Sequence, residues 1–159
     1  EIIQNVKSTK VNPPEILFLD KEIGNLASLY NACQIFVLPS RAEGFGLPYL
    51  ESIACGVPVI ATGYGGHLDF LNEDNAYLIK CNIINVPANM QYWQSKRTNG
   101  LIAEPDVEHL VFLLRKTYIQ YNEAIEKISK YRQALIDKYS WINAAKQIVE
   151  VSKRIPVKQ

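Results

Sequence analysis

Between Ile35 and Ala61 the chain alternates apolar runs with a glycine-rich loop in a way few folds accept. Ile35–Leu38 is a short apolar run stopped by Pro39-Ser40. A loop follows, Glu43-Gly44-Phe45-Gly46-Leu47-Pro48, and then a helical stretch over about residues 46–55. Gly56 stands where a left-handed helix terminus is expected, and Val57–Ala61 is again apolar. Pro58 suits only the first positions of such a strand. Strand, loop, helix and strand in this order make a parallel pair with a helical crossover. The rhythm continues on both sides. Ile16–Leu19 reads as a further short strand. Leu26, Leu29, Tyr30 and Cys33 fall at helical spacing. Thr62-Gly63-Tyr64-Gly65-Gly66 is a turn, with a short helix to Leu71, and Ala76–Ile79 is a fourth strand. The expected fold class is α/β: a Rossmann-like, doubly wound parallel sheet with helices on both faces.

The rhythm breaks over residues 81–100, a long loop in which Met90, Tyr92 and Trp93 suggest one helical turn. Tyr92-Trp93 reads as a cluster covering the sheet edge. Beyond Pro105 the chain is helical. Val107, Leu110, Val111, Leu114 and Tyr118 share one face, and Ala124, Ile128, Tyr131 and Leu135 share another. Ser140 is placed to cap a last helix that Trp141, Ala145, Ile148 and Val149 would pack.

Composition removes several classes of function. With 159 residues and 48% hydrophobic content, the chain fits one ordinary domain with a core. No apolar run reaches the roughly 18 residues that a membrane-spanning helix needs. A net charge of +1, with acids and bases mixed, gives no electrostatic case for nucleic acid. Cys33, Cys55 and Cys81 are widely spaced, without a zinc or redox pair, and read as buried cytosolic thiols. Residues 1–15 are polar and lack the apolar segment of a secretory leader. The chain opens on Glu1 and its only methionine is Met90, so it reads as a piece of a longer protein.

The loop itself points to chemistry. Gly44 and Gly46 permit positive φ and close approach of a ligand to the main chain. Proline at position 48 is tolerated in a first helical turn. The amides there lack partners within the helix and the dipole is positive, which suits an anion such as phosphate. Glu51, about one turn into the helix, points back toward the loop, and Glu43 lies within it. An acid repels phosphate, so two acids at a phosphate site imply a ligand that also carries hydroxyls, which carboxylates accept well. A nucleoside diphosphate sugar has this combination. The plainer reading makes Glu43 a solvated loop acid and Glu51 a helix-dipole acid.

These residues are similar to the C-terminal, donor-binding domain of retaining group 1 glycosyltransferases of the two-domain glycosyltransferase B fold. Leu38-Pro39-Ser40 followed by Glu43-Gly44-Phe45-Gly46-Leu47-Pro48 and Glu51 resembles the family's E-x7-E motif. Ala54–Ala61 resembles its helix-to-strand passage, Gly65-Gly66 its second glycine turn, Leu26–Ala32 the helix before the motif, and Tyr139-Ser140-Trp141 the start of its last helix. The resemblance covers about residues 15–150. It implies a truncated unit over 1–14, a nucleotide-sugar donor-binding domain over 15–150 and a tail over 151–159. It implies that Glu51 accepts ribose hydroxyls and that Glu43 is the catalytic residue, facing the transferred sugar. Backbone at Gly44, Phe45, Gly46, Leu47, Gly65 and Gly66 would hold the donor. His67, where relatives often have a small residue, would touch sugar or phosphate or serve as a structural histidine. Asp69 stands where a Glu is usual, and His109 reads as structural.

The resemblance further implies transfer of a sugar, with retention of configuration, from a nucleoside diphosphate sugar to a glycan, lipid-linked or other acceptor. No metal or other cofactor and no nucleic acid partner is expected. The setting would be cytoplasmic, at or near the inner face of the membrane, with the basic residues Lys146, Lys153, Arg154 and Lys158 reading first as a solvated helix face with a frayed tail and alternatively as a peripheral membrane contact. The family's first strand–loop–helix unit, with its Arg and Lys, has no counterpart before Pro13; Lys7 and Lys10 lie in the wrong context. The N-terminal acceptor domain has none either, so the fragment alone is expected to be inactive. Two alternatives stand beside this reading: a non-catalytic module binding sugar nucleotides or phosphate, and another enzyme on the same fold, such as a sugar-nucleotide epimerase or a glycogen-type synthase.

Overall fold

The structure, a computed structural model, describes residues 14–87 and 100–154. Its centre is a three-stranded parallel sheet in the order β1 (Phe36–Leu38), β2 (Val59–Thr62), β3 (Tyr77–Ile79). Phe36 stands opposite Val59 and Leu38 opposite Ala61; Ile60 stands opposite Tyr77 and Thr62 opposite Ile79. All four residues of β2 are buried. A Val-Ile-Ala-Thr run without polar alternation is what a strand covered on both faces requires.

The period of two sorts the side chains between two layers. Val59 and Ala61 join Tyr49, Ile53, Phe70, Leu71 and Ile128, with Phe36 and Leu38 packed against them. Ile60, Tyr77 and Ile79 join Leu113 and Ala124, with Ile35 and Val37 alongside. Helix α2 (Leu47–Ala54) and the long helix α4 (Tyr121–Tyr139) pack together on the first side. Helix α3 (Val107–Ile119) covers the second, against β2 and β3. Helices on both faces of a parallel sheet are the architecture expected from the sequence. Helix α1 (Leu26–Asn31) precedes β1, and α5 (Trp141–Ser152) ends the described chain.

Helix ends follow local chemistry. The Asp106 side chain accepts from the His109 amide at 3.0 Å at the start of α3, and Ser140 accepts from the Asn143 amide at 3.2 Å at the start of α5. Gly56, just past α2, has φ 79°, the left-handed terminus expected there.

Five expectations are corrected. Residues 16–19 form no strand, and Leu17, Phe18 and Leu19 are exposed. An apolar run becomes a strand only beside a ladder partner, and among the described residues β1 pairs with β2 alone. Residues 81–100 are not wholly loop: β4 (Cys81–Asn85) pairs antiparallel with β5 (Leu101–Pro105), Cys81 opposite Pro105 and Asn85 opposite Leu101. The inward face of α3 is rotated: Leu113 and Thr117 are buried, while Val107, Val111 and Tyr118 are exposed. Thr117 is tolerated there because its hydroxyl donates to the Leu113 carbonyl at 2.8 Å. Trp141 does not pack α5 onto the domain; it is 83% exposed. The cysteines are free thiols but not buried as expected: Cys33 is exposed, and Cys55 and Cys81 are half-buried. The suggested turn at Met90, Tyr92 and Trp93, together with Lys7, Lys10 and Lys158, lies outside the described residues.

Candidate donor site

The loop from Ser40 to Gly46 leaves the C-terminal end of β1 and enters α2. Gly46 is the N-cap, with φ 88° and no side chain to cap the helix. A Cβ at Gly46 would fall onto the Tyr49 ring, so both its φ and its surroundings require glycine. A second turn, at the C-terminal end of β2, lies against the first. The Gly66 amide donates to the Glu43 carbonyl at 2.9 Å. A Cβ at Gly66 would strike the Gly44 carbonyl. Thus Gly44 and Glu43 of the first turn and Gly65 and Gly66 of the second form one knot of backbone.

Two buried side chains support that knot from below. The Tyr49 hydroxyl donates to the Leu38 carbonyl at 3.0 Å and lies 3.2 Å from the Ser40 hydroxyl. Burial pushes its pKa up, and the Glu43 charge adds to the rise while the Ser40 hydrogen bond opposes it. His67 is fully buried, its ring 4.7 Å from that of Tyr49. It lies at the N-terminal side of a short 3-10 turn, Gly66–Asp69. Its Nε2 donates to the Thr62 carbonyl at 2.7 Å, which leaves Nδ1 as an acceptor. That Nδ1 and the Thr62 hydroxyl are buried without a hydrogen-bond partner among the described residues. His67 is therefore placed under the glycine turns rather than on the surface a ligand would meet.

The two acids reach different spaces. Glu43 lines a cavity of about 620 Å³ with Ala42, Gly44, Tyr64, Gly65 and Leu101. Glu51 lines another, of about 500 Å³, with Phe45, Leu47 and Leu50 from the loop and α2, and with Tyr139 and Trp141 among its other walls. Residues 42–44 thus serve one cavity and residues 45–51 the other. The Glu51 carboxylate accepts a hydrogen bond from the Tyr30 hydroxyl at 2.9 Å. Burial, followed by this bond and the Glu51 charge, holds the Tyr30 phenol well above its ordinary pKa. Phe45 turns its side chain onto Phe70 and Tyr139, with ring centroids 5.4 and 5.9 Å away. That anchors the loop by a side chain.

Three contributors were not singled out from sequence. Tyr30 appeared only as part of a helical face; its hydroxyl gives the signal, because a half-apolar face carries one polar tip that needs a partner. Tyr64 lay in the second glycine turn, where the glycines alone were given a role. Arg41 binds Glu104 at 2.7 Å, and its carbonyl accepts from the Ala103 amide at 2.8 Å, which joins the β4–β5 hairpin to the loop. His109 is structural, as expected, with Nδ1 accepting from the Lys80 amide at 3.0 Å. No cluster of three or more His, Cys, Asp or Glu side chains suited to a metal occurs among the described residues.

Residues 7–91 match the family model described as glycosyl transferases group 1. The chain is 28% identical to the D-inositol 3-phosphate glycosyltransferase of Corynebacterium urealyticum, over 98% of this chain and 29% of that protein. It is 32% identical to a sulfoquinovosyl transferase of Arabidopsis thaliana, over 77% of this chain and 20% of that one. It is 33% identical to the sucrose synthase of Melioribacter roseus, over 75% of this chain and 13% of that one. The chain thus spans less than a third of the length of each. The crystal structure of Anabaena HepE in complex with UDP and glucose superposes with a TM-score of 0.58 at 19% identity, covering 80% of this chain and 29% of HepE, so the fold is shared. With the family model matched across more than half its residues, the chain belongs to the group 1 glycosyl transferases.

Proposed function

We propose that residues 15–150 are the donor-binding domain of a retaining glycosyltransferase that moves a sugar from a nucleoside diphosphate sugar to a glycan or lipid-linked acceptor. The observation that carries this reading is the division of Glu43 and Glu51 between two cavities by a loop that ends in an uncapped helix N-terminus. A ligand anionic in the middle and hydroxylated at both ends suits that division. In this reading Glu51, oriented by Tyr30, accepts the ribose hydroxyls. Backbone at Gly44, Phe45, Gly46 and Leu47, with Gly65 and Gly66, meets the diphosphate and sugar oxygens. The dipole of α2 stabilises the diphosphate as it departs. Glu43 binds sugar hydroxyls and places negative charge near the developing oxocarbenium. His67 acts from beneath, as a positioning residue for the two turns.

The bond from the anomeric carbon to the diphosphate oxygen breaks, and a bond to the acceptor oxygen forms on the same face. The acceptor proton passes to the departing diphosphate. The acceptor binds a further domain of the full-length protein. A cytoplasmic setting fits a nucleotide-sugar donor. Among the described residues no helix is long and apolar enough to cross a membrane. Exposed Trp141 and Ile142 on α5, with Lys146 and Arg154, suit a peripheral contact with anionic lipid.

The test is Glu43→Gln in the full-length protein. The substitution keeps the shape and removes the charge. Sugar transfer should fall by roughly a hundredfold or more, the scale of a lost electrostatic stabiliser of the transition state. Unchanged transfer would favour a binding module without catalysis at this site.

A further inference from the structure

The cavity beside Glu43 holds two side chains that neither the motif nor the core requires. Among the described residues that line it, Glu43 alone is charged, and Ala42, Gly44 and Gly65 offer little beyond backbone. Of those described residues, Tyr64 and Leu101 supply the remaining side-chain surface. Leu101 is 56% exposed, although it sits in a paired strand.

The main chain that carries each of them is pinned by hydrogen bonds. Tyr64 lies between two fixed points: the Gly63 amide donates to the Ile79 carbonyl at 2.9 Å, and the Gly66 amide to the Glu43 carbonyl at 2.9 Å. Leu101 pairs with Asn85 at the start of β5, and the next rung is closed by the Val86 amide on the Gly100 carbonyl at 3.0 Å. The hairpin is in turn held to the loop bearing Glu43 by the Arg41–Glu104 ion pair and the Ala103–Arg41 backbone bond. An exposed ion pair is worth little alone. Here it sits two residues from the acid it helps to place, beside a main-chain bond that fixes the same contact. An aromatic and an aliphatic side chain, each carried on pinned main chain, therefore share one cavity with a carboxylate.

We propose that Tyr64 and Leu101 determine which sugar is accepted. A hexosyl group has a face rich in C–H bonds and a rim of hydroxyls. Its C–H face packs on Tyr64 and Leu101 while its hydroxyls turn to Glu43. Sugars with an axial hydroxyl on the packed face are disfavoured, because that hydroxyl would lose water without gaining a partner. The inference rests on the donor-site reading above and adds to it the residues that sort one donor from another.

The test separates the sugar from the nucleotide. Affinities of the full-length protein are measured for three pairs: UDP with UDP-glucose, GDP with GDP-mannose, and ADP with ADP-glucose. The pair that binds is then measured with Tyr64→Ala, Tyr64→Phe and Leu101→Ser. We expect Tyr64→Ala to weaken the nucleotide sugar roughly three- to tenfold, the scale of one aromatic contact, and to leave the bare nucleotide unchanged. Leu101→Ser should act in the same direction, and Tyr64→Phe should keep the wild-type ratio. Equal weakening of both members of the pair, or no change in either, would overturn the proposal while leaving the donor site standing. Failure of every ligand to bind the wild-type protein would overturn the donor-site reading and this inference with it.

Discussion

Tyr30 and Glu51 lie 21 positions apart in sequence and meet through one hydrogen bond of 2.9 Å. Removing the hydroxyl with Tyr30→Phe leaves the ring in place against Phe36, whose centroid is 5.7 Å away. The carboxylate then loses its orienting donor. Hydrogen bonds to charged groups contribute about 1.5–3 kcal/mol when buried; this one is partly exposed, so about 1 kcal/mol of stability is expected to go. The pH dependence has a definite sign. The folded state holds the Tyr30 phenol above its ordinary value, chiefly by burial, and so favours the protonated form. That contribution is fully present below about pH 10, where an unfolded tyrosine ionises, and is lost as pH rises beyond it. Chemical denaturation of wild type and Tyr30→Phe across pH 8–11 should therefore show a gap that narrows above about pH 10. A gap that is constant or widens would contradict the assignment. At this scale much of the site could be read in advance. Two acids, two glycine turns and a proline at a helix start need no tertiary information to suggest an anion with hydroxyls. The partner of Glu51 could not be read, because Tyr30 reaches it only through the fold, and neither could the presence of Tyr64 in the cavity that Glu43 lines. His67 looked open to ligand as part of a glycine turn, and only its hydrogen bond to Thr62 and its contact with Tyr49 place it beneath the surface.

Among the elements, β2 holds the fold together, since its side chains divide between both layers. Ile60 is fully buried and packs with Tyr77, Ile79 and Leu113, on the face away from α2. Ile60→Ala should cost about 2–5 kcal/mol, measured by denaturant unfolding with an unchanged slope. A loss under about 1 kcal/mol would mean that this layer is looser than its burial indicates. Strands β1 to β3 were legible as unbroken apolar runs bounded by turn residues, and helices α1 to α5 because their apolar residues recur at helical spacing. The β4–β5 hairpin was not. Its first strand, Cys81-Asn82-Ile83-Ile84-Asn85, is mostly exposed, so no buried face imposed an alternation. The reverse error came at residues 16–19. There a short apolar run has strand composition, but a strand is a property of a pair, and no partner stands beside it among the described residues. The face of α3 slipped for a related reason. A threonine inside and a tyrosine outside reverse the usual hydrophobic ranking, and the backbone hydrogen bond of Thr117 permits the exchange.

For the molecule as a whole, the account rests on a division of labour. The sheet brings the ends of β1 and β2 together, the two glycine turns interlock there, and the uncapped start of α2 faces the same region as the loop. The claim that this region binds a nucleoside diphosphate sugar is tested most directly by calorimetric titration of the full-length protein with UDP, GDP, ADP and CMP, beside a Glu51→Ala variant. One nucleotide should bind selectively, and Glu51→Ala should weaken it by roughly tenfold or more, the scale of a charge-assisted hydrogen bond. Binding of the nucleotide with equal affinity to wild type and Glu51→Ala, or no binding of any nucleotide, would contradict the account.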